Sequence, residues 1–312
     1  HFSYSNFAKL STCRRPRWLG QLLESLAKLE YEKCPGVIQT VVVVDNDYTG
    51  SARAVVERFS AHLPGLIYDL EPVQNISLAR NKTIAIAKKL DCEYIAFVDD
   101  DEFVDQKWLD ELLFTLEVFG ADIVRGPVIP VFADPVPDWI VRGGFFERQR
   151  YAQTGQRIRW GATNNVLIKR EFLDKLDGPF DQRFGLTGGE DTHLFERLHR
   201  MGAIMVWSNE AIVRENIASS RANLRWLLLH SYSFGSMLAS CDRALETQKK
   251  WLITRFIKGV GRIFQGSISF LPSLFLGYAS AAKSLTYIAR GAGMLTGICG
   301  YKLEEYKRVH GK

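Results

Sequence analysis

Cysteine is scarce in this 312-residue chain and is placed without pattern. Cys13, Cys34, Cys92, Cys241 and Cys299 are odd in number and far apart, with no C-x-x-C pair. That argues against a disulfide framework or a zinc ribbon and fits reduced thiols in a cytosolic setting. The six histidines show no zinc spacing. No G-x-x-x-x-G-K-[ST] segment occurs, and Gly259-Val260-Gly261 lacks the third glycine and the preceding strand of a dinucleotide fingerprint. P-loop ATPase and dehydrogenase chemistry therefore have no support. Long apolar runs are also lacking. The charge-free stretch 263–282 reaches the ~20 residues of a membrane span. It carries Pro272, two glycines, Gln265 and four serines, so its hydrophobicity is weak. No internal repeat or low-complexity tract is present.

What remains is ordinary globular material, 46% apolar and 24% charged, long enough for one large domain or a domain with an appendage. The net charge of +5 hides an asymmetry: residues 221–312 hold 14 Lys and Arg against 4 acids, and residues 1–220 hold 26 against 31. The sequence divides accordingly into a domain at 1–220 and a basic, helical region at 221–312, whose charge suits an anionic surface.

The first part alternates strand and helix signals. Trp18, Leu19, Leu22, Leu23, Leu26 and Leu29 share a helical stripe; residues 37–44 form a β-branched run expected to be buried on both faces. A helix is predicted over 75–90 with Ser77 as a cap, a strand over 94–98, a helix from Trp108 to Leu116, and short strands at 123–124 and 166–168. This alternation implies a mostly parallel sheet flanked by helices. Residues 126–160, with four prolines and Gly143-Gly144, are expected to form a long functional loop. After residue 219 a helix is predicted over 221–238. Beyond it, 251–258 mixes Trp, Leu, Ile and Phe with Lys and Arg, as in a surface-lying segment.

Three acidic features carry chemistry. Tyr94-Ile95-Ala96-Phe97-Val98 ends in Asp99-Asp100-Asp101-Glu102. Adjacent like charges repel, so four carboxylates at a strand end call for a hard cation such as Mg²⁺ or Mn²⁺, completed by phosphates. Val44-Asp45-Asn46-Asp47 is a second strand end. An EF-hand reading fails because position twelve is Val56 where a Glu is needed; nucleoside recognition and a plain strand-to-helix turn both remain. Glu190-Asp191 follows the turn Gly185-Leu186-Thr187-Gly188-Gly189 and opens a helix, either as dipole-complementing acids or as a general base. Trp160 suits an exposed stacking surface or a core position.

Taken in order, these stretches resemble an inverting family 2 glycosyltransferase of the GT-A, Rossmann-like fold, over residues 8 to about 235. The blocks are Ser11-Thr12-Cys13-Arg14-Arg15-Pro16, Val44-Asp45-Asn46, Ser77-Leu78-Ala79-Arg80-Asn81, Phe97 to Asp101, Gly161-Ala162-Thr163-Asn164-Asn165 and Gly189-Glu190-Asp191. The likeness extends to succinoglycan-type exopolysaccharide glucosyltransferases. It implies transfer from a nucleotide-sugar, UDP-linked by analogy, to a hydroxyl of a polysaccharide or lipid-linked saccharide. Under it Asp191 is the base and Glu190 its neighbour in the site; Asp101 with Asp99 holds Mg²⁺ or Mn²⁺. Thr12, Arg14, Asp45, Arg80, Asp99 and Asp100 bind the donor, with Arg221 and Arg225 as further phosphate partners. Trp160, Asn164 and Asn165 face the acceptor. Cys13 stands where an aromatic is common, and Arg214-Glu215-Asn216 replaces an aromatic-Glu-Pro sequence.

Two other classes compete. A sugar-phosphate nucleotidyltransferase would need a glycine-rich basic first loop, and Cys13-Arg14-Arg15-Pro16 has no glycine. An inactive, membrane-bound nucleotide-sugar sensor would not need Asp191. Nucleic acid is not an expected partner. The basic tail leads to the expectation of a protein peripheral on the cytoplasmic face of a bacterial inner membrane, held through residues from about 240 to 300. The alternative is a helical subdomain packed on the sheet or forming an oligomer.

Overall fold

The first half of the chain builds a sheet whose strand order reverses at its centre. The computed structural model describes residues 5–132, 134–147 and 153–303. β1 (Ser5–Thr12), α1 (Pro16–Leu26), β2 (Ile38–Asp45), α2 (Arg53–Phe59), β3 (Ile67–Leu70), α3 (Ile76–Lys89) and β4 (Tyr94–Phe97) alternate along the chain. Pro16 opens α1, where its missing N–H has no partner to lose. Asn75 caps α3, its side chain accepting from the amides of Ser77 and Leu78. The cap expected at Ser77 is displaced, because Ser77 Oγ donates to the Asp181 carbonyl instead.

There follow β5 (Glu102–Val104), α4 (Trp108–Val118), β6 (Ile123–Arg125), β7 (Val128–Phe132), α5 (Asp138–Gly143), β8 (Val166–Lys169), α6 (Arg170–Asp174), α7 (Glu190–Arg200), β9 (Met205–Trp207) and β10 (Val213–Ile217). The main sheet has the order β3-β2-β1-β4-β8-β6-β9, and β8 alone runs against the rest. β5, β10 and β7 form a second, three-stranded sheet. Residues 126–160 were expected to be one loop, yet they contain β7 and α5. Pro130 disguises β7, and it is tolerated there because β7 is an edge strand.

The valines of β2 explain the burial of both faces. Val41 and Val43 join a core with Leu19, Leu22, Leu23 and Leu26 of α1 and Trp108, Leu109, Leu112 and Leu113 of α4. Val42 and Val44 join the opposite core, with Ala79 and Ile84 of α3 and Leu194, Phe195 and Leu198 of α7. Each fully buried leucine contributes roughly 1.5–3 kcal/mol of apolar burial. β1 has β2 on one side and β4 on the other, so a crevice opens at the carboxyl ends of β1 and β4.

The region after β10 is a stack of three helices, α8 (Leu224–Leu245), α9 (Lys250–Leu276) and α10 (Tyr278–Ile298). Gly277, at φ +96°, ends α9 and splits the charge-free stretch 263–282 between two helices. Among the described residues no helix is long and apolar enough to cross a membrane.

Candidate active site

Register brings the strand ends together. Thr12, the last residue of β1, is paired with Asp45 at the end of β2, and β4 stops opposite Lys9. The acidic run after β4 therefore arrives beside Thr12. Thr12 Oγ1 donates to Asp100 Oδ2 at 2.8 Å, and the Cys13 amide donates to the same oxygen at 3.3 Å. Arg15 Nη1 reaches Asp100 Oδ1 at 2.8 Å and Asp101 Oδ2 at 3.0 Å. Arg221 lies 3.6 Å from Asp101 Oδ2 and 3.0 Å from Glu215 Oε1 of β10. Burial pushes the Asp101 carboxyl upward, Arg15 opposes this, and Glu215 and Asp100 add to it.

The three aspartates thus have different surroundings. Asp100 is turned inward and ties the loop after β1 to the end of β4. Asp101 is buried between two guanidiniums. The Asp99 side chain is 40% exposed and faces Arg80 Nη2 at 3.2 Å. The Glu102 carboxylate closes the turn by accepting from the Asp99 amide at 2.7 Å.

Arg80, expected to meet the donor, sits on the buried face of α3 and is paired with acids. Its guanidinium bridges Glu190 Oε1 and Asp99 and lies over the Phe180 ring. Glu190 is buried, and its Oε2 has no hydrogen-bond partner among the described residues. Burial raises its carboxyl, Arg80 opposes, and Asp191 adds to the rise. Through Arg80, Glu190 therefore ties the turn before α7 to the acids that follow β4. Asp191, one residue on, is half-buried, and its Oδ1 accepts from the Thr192 amide at 2.6 Å.

The turn into α7 needs its glycines. Gly188 and Gly189 lie at φ +75° and +100°, where L side chains are strained. A Cβ on Gly189 would also stand 2.9 Å from Met237 Sδ of α8.

Ser11, Thr12, Cys13, Arg15, Asn46, Gln74, Asn75, Asp100 and Gly185 line a cleft at the ends of β1, β2 and β4. Ser11 Oγ is buried there with no hydrogen-bond partner among the described residues. Asn46 pins the cleft wall, donating to the carbonyls of Glu71 and Val73 and accepting from the Asn75 amide. Asp45 is wholly buried and accepts from the amides of Ala52 and Asp47 and from Tyr68 Oη. Its hydrogen bonds hold the β2–α2 turn, which is the plain-turn alternative left open by the sequence. Arg14, at φ +55°, points to Asp47 at 3.1 Å.

Of the residues expected to meet the acceptor, Trp160 is 53% exposed, with Arg159 over its ring. The following Gly161 lies against Phe195, one helical turn past Asp191 on α7. Asn164 is buried. Asn165, expected to meet the acceptor, is wholly buried and serves the fold instead. Its amide donates to the carbonyls of Pro127 and Ala211, and its oxygen accepts from Trp108 Nε1.

Sequence reasoning missed Arg15, Glu215, Asn46 and the role of Arg80. Arg14-Arg15 marks a basic turn, but only its folded geometry decides which arginine faces the acids. Arg225 stands on the first turn of α8, apart from the ion pairs of Arg221.

The donor set suits a hard cation. Seven carboxylates, at positions 99, 100, 101, 102, 190, 191 and 215, surround three guanidiniums, Arg15, Arg80 and Arg221. Carboxylates outnumber guanidiniums here; burial raises the Asp101 and Glu190 carboxyls first, and neighbouring acids add to both. Among the described residues no three acidic, His or Cys ligands converge on one point. Hard divalent cations take carboxylate and phosphate oxygens, so the side chains at hand for one are the strand-end aspartates alone.

The comparisons agree with this architecture. The sequence profile of glycosyl transferase family 2 matches residues 10–177. The succinoglycan biosynthesis protein ExoM of Rhizobium meliloti is 33% identical over 304 residues, covering 95% of this chain and 93% of that protein. A glucosyl-dolichyl phosphate glucuronosyltransferase of Haloferax volcanii is 22% identical over 229 residues, 68% of each chain. The crystal structure of S. aureus TarS 1-349 in complex with UDP-GlcNAc superposes with a TM-score of 0.53 at 16% identity, covering 92% of this chain and 90% of that one. The UDP complex of TarS 1-349 gives the same TM-score and coverage. The GT-A-like sheet, the strand-end acids and these matches together make the chain a member of glycosyl transferase family 2.

Proposed function

We propose that this family 2 enzyme transfers a glycosyl group from a UDP-sugar, with inversion, to a hydroxyl of a saccharide in exopolysaccharide assembly. The observation that carries the reading is the bridge from Asp99 through Arg80 to Glu190. It fixes the turn bearing Asp191 against the strand-end acids, across the cleft. The UDP and UDP-GlcNAc complexes of TarS support the choice of donor, and the name of ExoM supports an exopolysaccharide acceptor. The dolichyl phosphate substrate named for the Haloferax protein supports a lipid-linked one.

Asp191 Oδ2 takes the proton of the acceptor hydroxyl as that oxygen bonds to the anomeric carbon. The bond from that carbon to the β-phosphate oxygen breaks, and UDP leaves with the electron pair. A positioned base of this kind contributes roughly 10²–10⁴-fold. Arg80 and Glu190 hold Asp191 in place. Asp101 and Asp99 would hold Mg²⁺ or Mn²⁺, which when bound offsets charge on the diphosphate. Gln74 and Asn75, the more open polar side chains of the cleft, offer contacts to the nucleoside, and Trp160 offers an apolar face to the acceptor sugar.

The test is UDP release from a panel of UDP-sugars with a crude lipid acceptor, comparing wild type with Asp191→Asn. Turnover is expected to collapse while donor affinity, measured by calorimetry, is retained. Wild-type turnover in the variant removes Asp191 as the base, and pyrophosphate instead of UDP would overturn glycosyl transfer.

A further inference from the structure

The helix α9 has two unlike faces. One packs on α10 through glycines. A Cβ on Gly266 would lie 2.6 Å from the Ser284 carbonyl oxygen, and one on Gly291 the same distance from that of Gly259. The opposite face carries Ile253, Ile257, Val260 and Phe264, then Ile268, Leu271 and Phe275, all 43–93% exposed. Successive spacings are four, three, four, four, three and four residues.

This spacing repeats every eleven residues, from Ile253 to Phe264 to Phe275. Eleven residues in three turns is about 3.67 per turn, close to the ~3.6 of a straight helix, whereas a left-handed coiled-coil seam needs ~3.5. The stripe therefore keeps to one face along the roughly 40 Å of α9, with Pro272 between Leu271 and Phe275, and it lacks the period of a left-handed coiled-coil seam with a second copy.

Charge narrows the partner. Between Thr247 and Leu303 there is no Asp or Glu, while Lys249, Lys250, Arg255, Lys258, Arg262, Lys283, Arg290 and Lys302 supply eight cations. Lys249 and Lys250 lie at the N-terminal end of the stripe, and Lys258 beside it, all exposed. A second copy would bring like charges together. No helix among the described residues is apolar enough to cross a bilayer.

We propose that the exposed stripe of α9 lies in the headgroup region of an anionic bilayer, with Leu271, Phe275 and Leu276 as its deepest anchors. This stands apart from the transferase reading. The helical stack that carries the stripe touches the turn before α7, where Met237 and Cys241 of α8 rest on Gly189.

The test is flotation of the full chain on vesicles of phosphatidylcholine, with or without roughly one-third phosphatidylglycerol. Wild type is expected to float with the anionic vesicles and to be released by high salt. Phe264→Glu/Leu271→Glu should lose binding at least ~10-fold, since each charge enters the apolar stripe. Lys249→Glu/Lys250→Glu should weaken it by roughly fivefold per lysine or more. Both variants should keep the wild-type melting temperature and donor affinity, as these side chains are solvent-facing. Failure of the wild type to float, or equal flotation of F264E/L271E, overturns the proposal. So does a dimer in sedimentation that F264E/L271E dissociates, because the stripe then belongs to a second copy.

Discussion

Replacing Arg80 by methionine keeps much of the side chain's length but removes the charge joining α3, the acidic run and the catalytic turn. Arg80 and Glu190 have side chains only 5% and 2% exposed, so neither ion can turn to water when its partner is lost. Removing one member of such a pair costs about 3–5 kcal/mol, mainly through the stranded charge. At roughly 2–4 °C per kcal/mol, the melting temperature should fall on the order of 10 °C. Arg80→Met/Glu190→Gln removes both charges and should recover stability, giving a coupling energy of about 2–3 kcal/mol. Turnover of Arg80→Met should drop about 10²-fold, because Asp191 shares the turn that Glu190 anchors. The assays are thermal unfolding of the four proteins of the cycle and UDP release. A melting temperature within ~2 °C of wild type, paired with a weakened donor affinity, would refute the reasoning and return Arg80 to a phosphate contact.

Other outcomes follow from single contacts. Gly189→Ala meets both a left-handed φ and the Met237 side chain, and should cost about 1–3 kcal/mol in urea unfolding. Adding Met237→Ala should relieve only part of this. Burial holds the His193 imidazole down at about 4, so it stays neutral in the fold while the unfolded chain takes up a proton below ~6.5. Stability should therefore fall by about 2–3 kcal/mol as pH drops from ~6.5 to ~4, and His193→Leu should flatten that slope relative to wild type. Asn165→Ala strands two carbonyls and the Trp108 indole N–H, and should lower stability by at least ~2 kcal/mol. Trp160→Ala should leave the melting temperature unchanged but raise KM for the acceptor; an unchanged KM would remove Trp160 from that surface.

Sequence alone determined the elements whose chemistry is local. The apolar stripe of α1, the valine run of β2 and the acids after β4 are legible because burial periodicity and like-charge repulsion leave marks within a few residues. The order of the six motif blocks was enough to indicate the family. Elements stabilised by distant partners were not legible. β7 contains a proline that only an edge position excuses, and β5 has three residues whose pairing with β10 spans over a hundred positions. The cap of α3 shifted from Ser77 to Asn75 because a carbonyl from residue 181 claimed the serine.

The same division holds within the site. The strand-end carboxylates announced a charge problem, but sequence could not say which cations answer it. Tertiary structure decided that Arg15 and Arg221 flank Asp101, that Arg80 faces Glu190 rather than solvent, and that Asn165 braces the core. Those choices depend on which side chains share low-dielectric space, where a charge must find its counter-charge. That neighbourhood is set by strand order and helix packing, and no spacing along the chain records it.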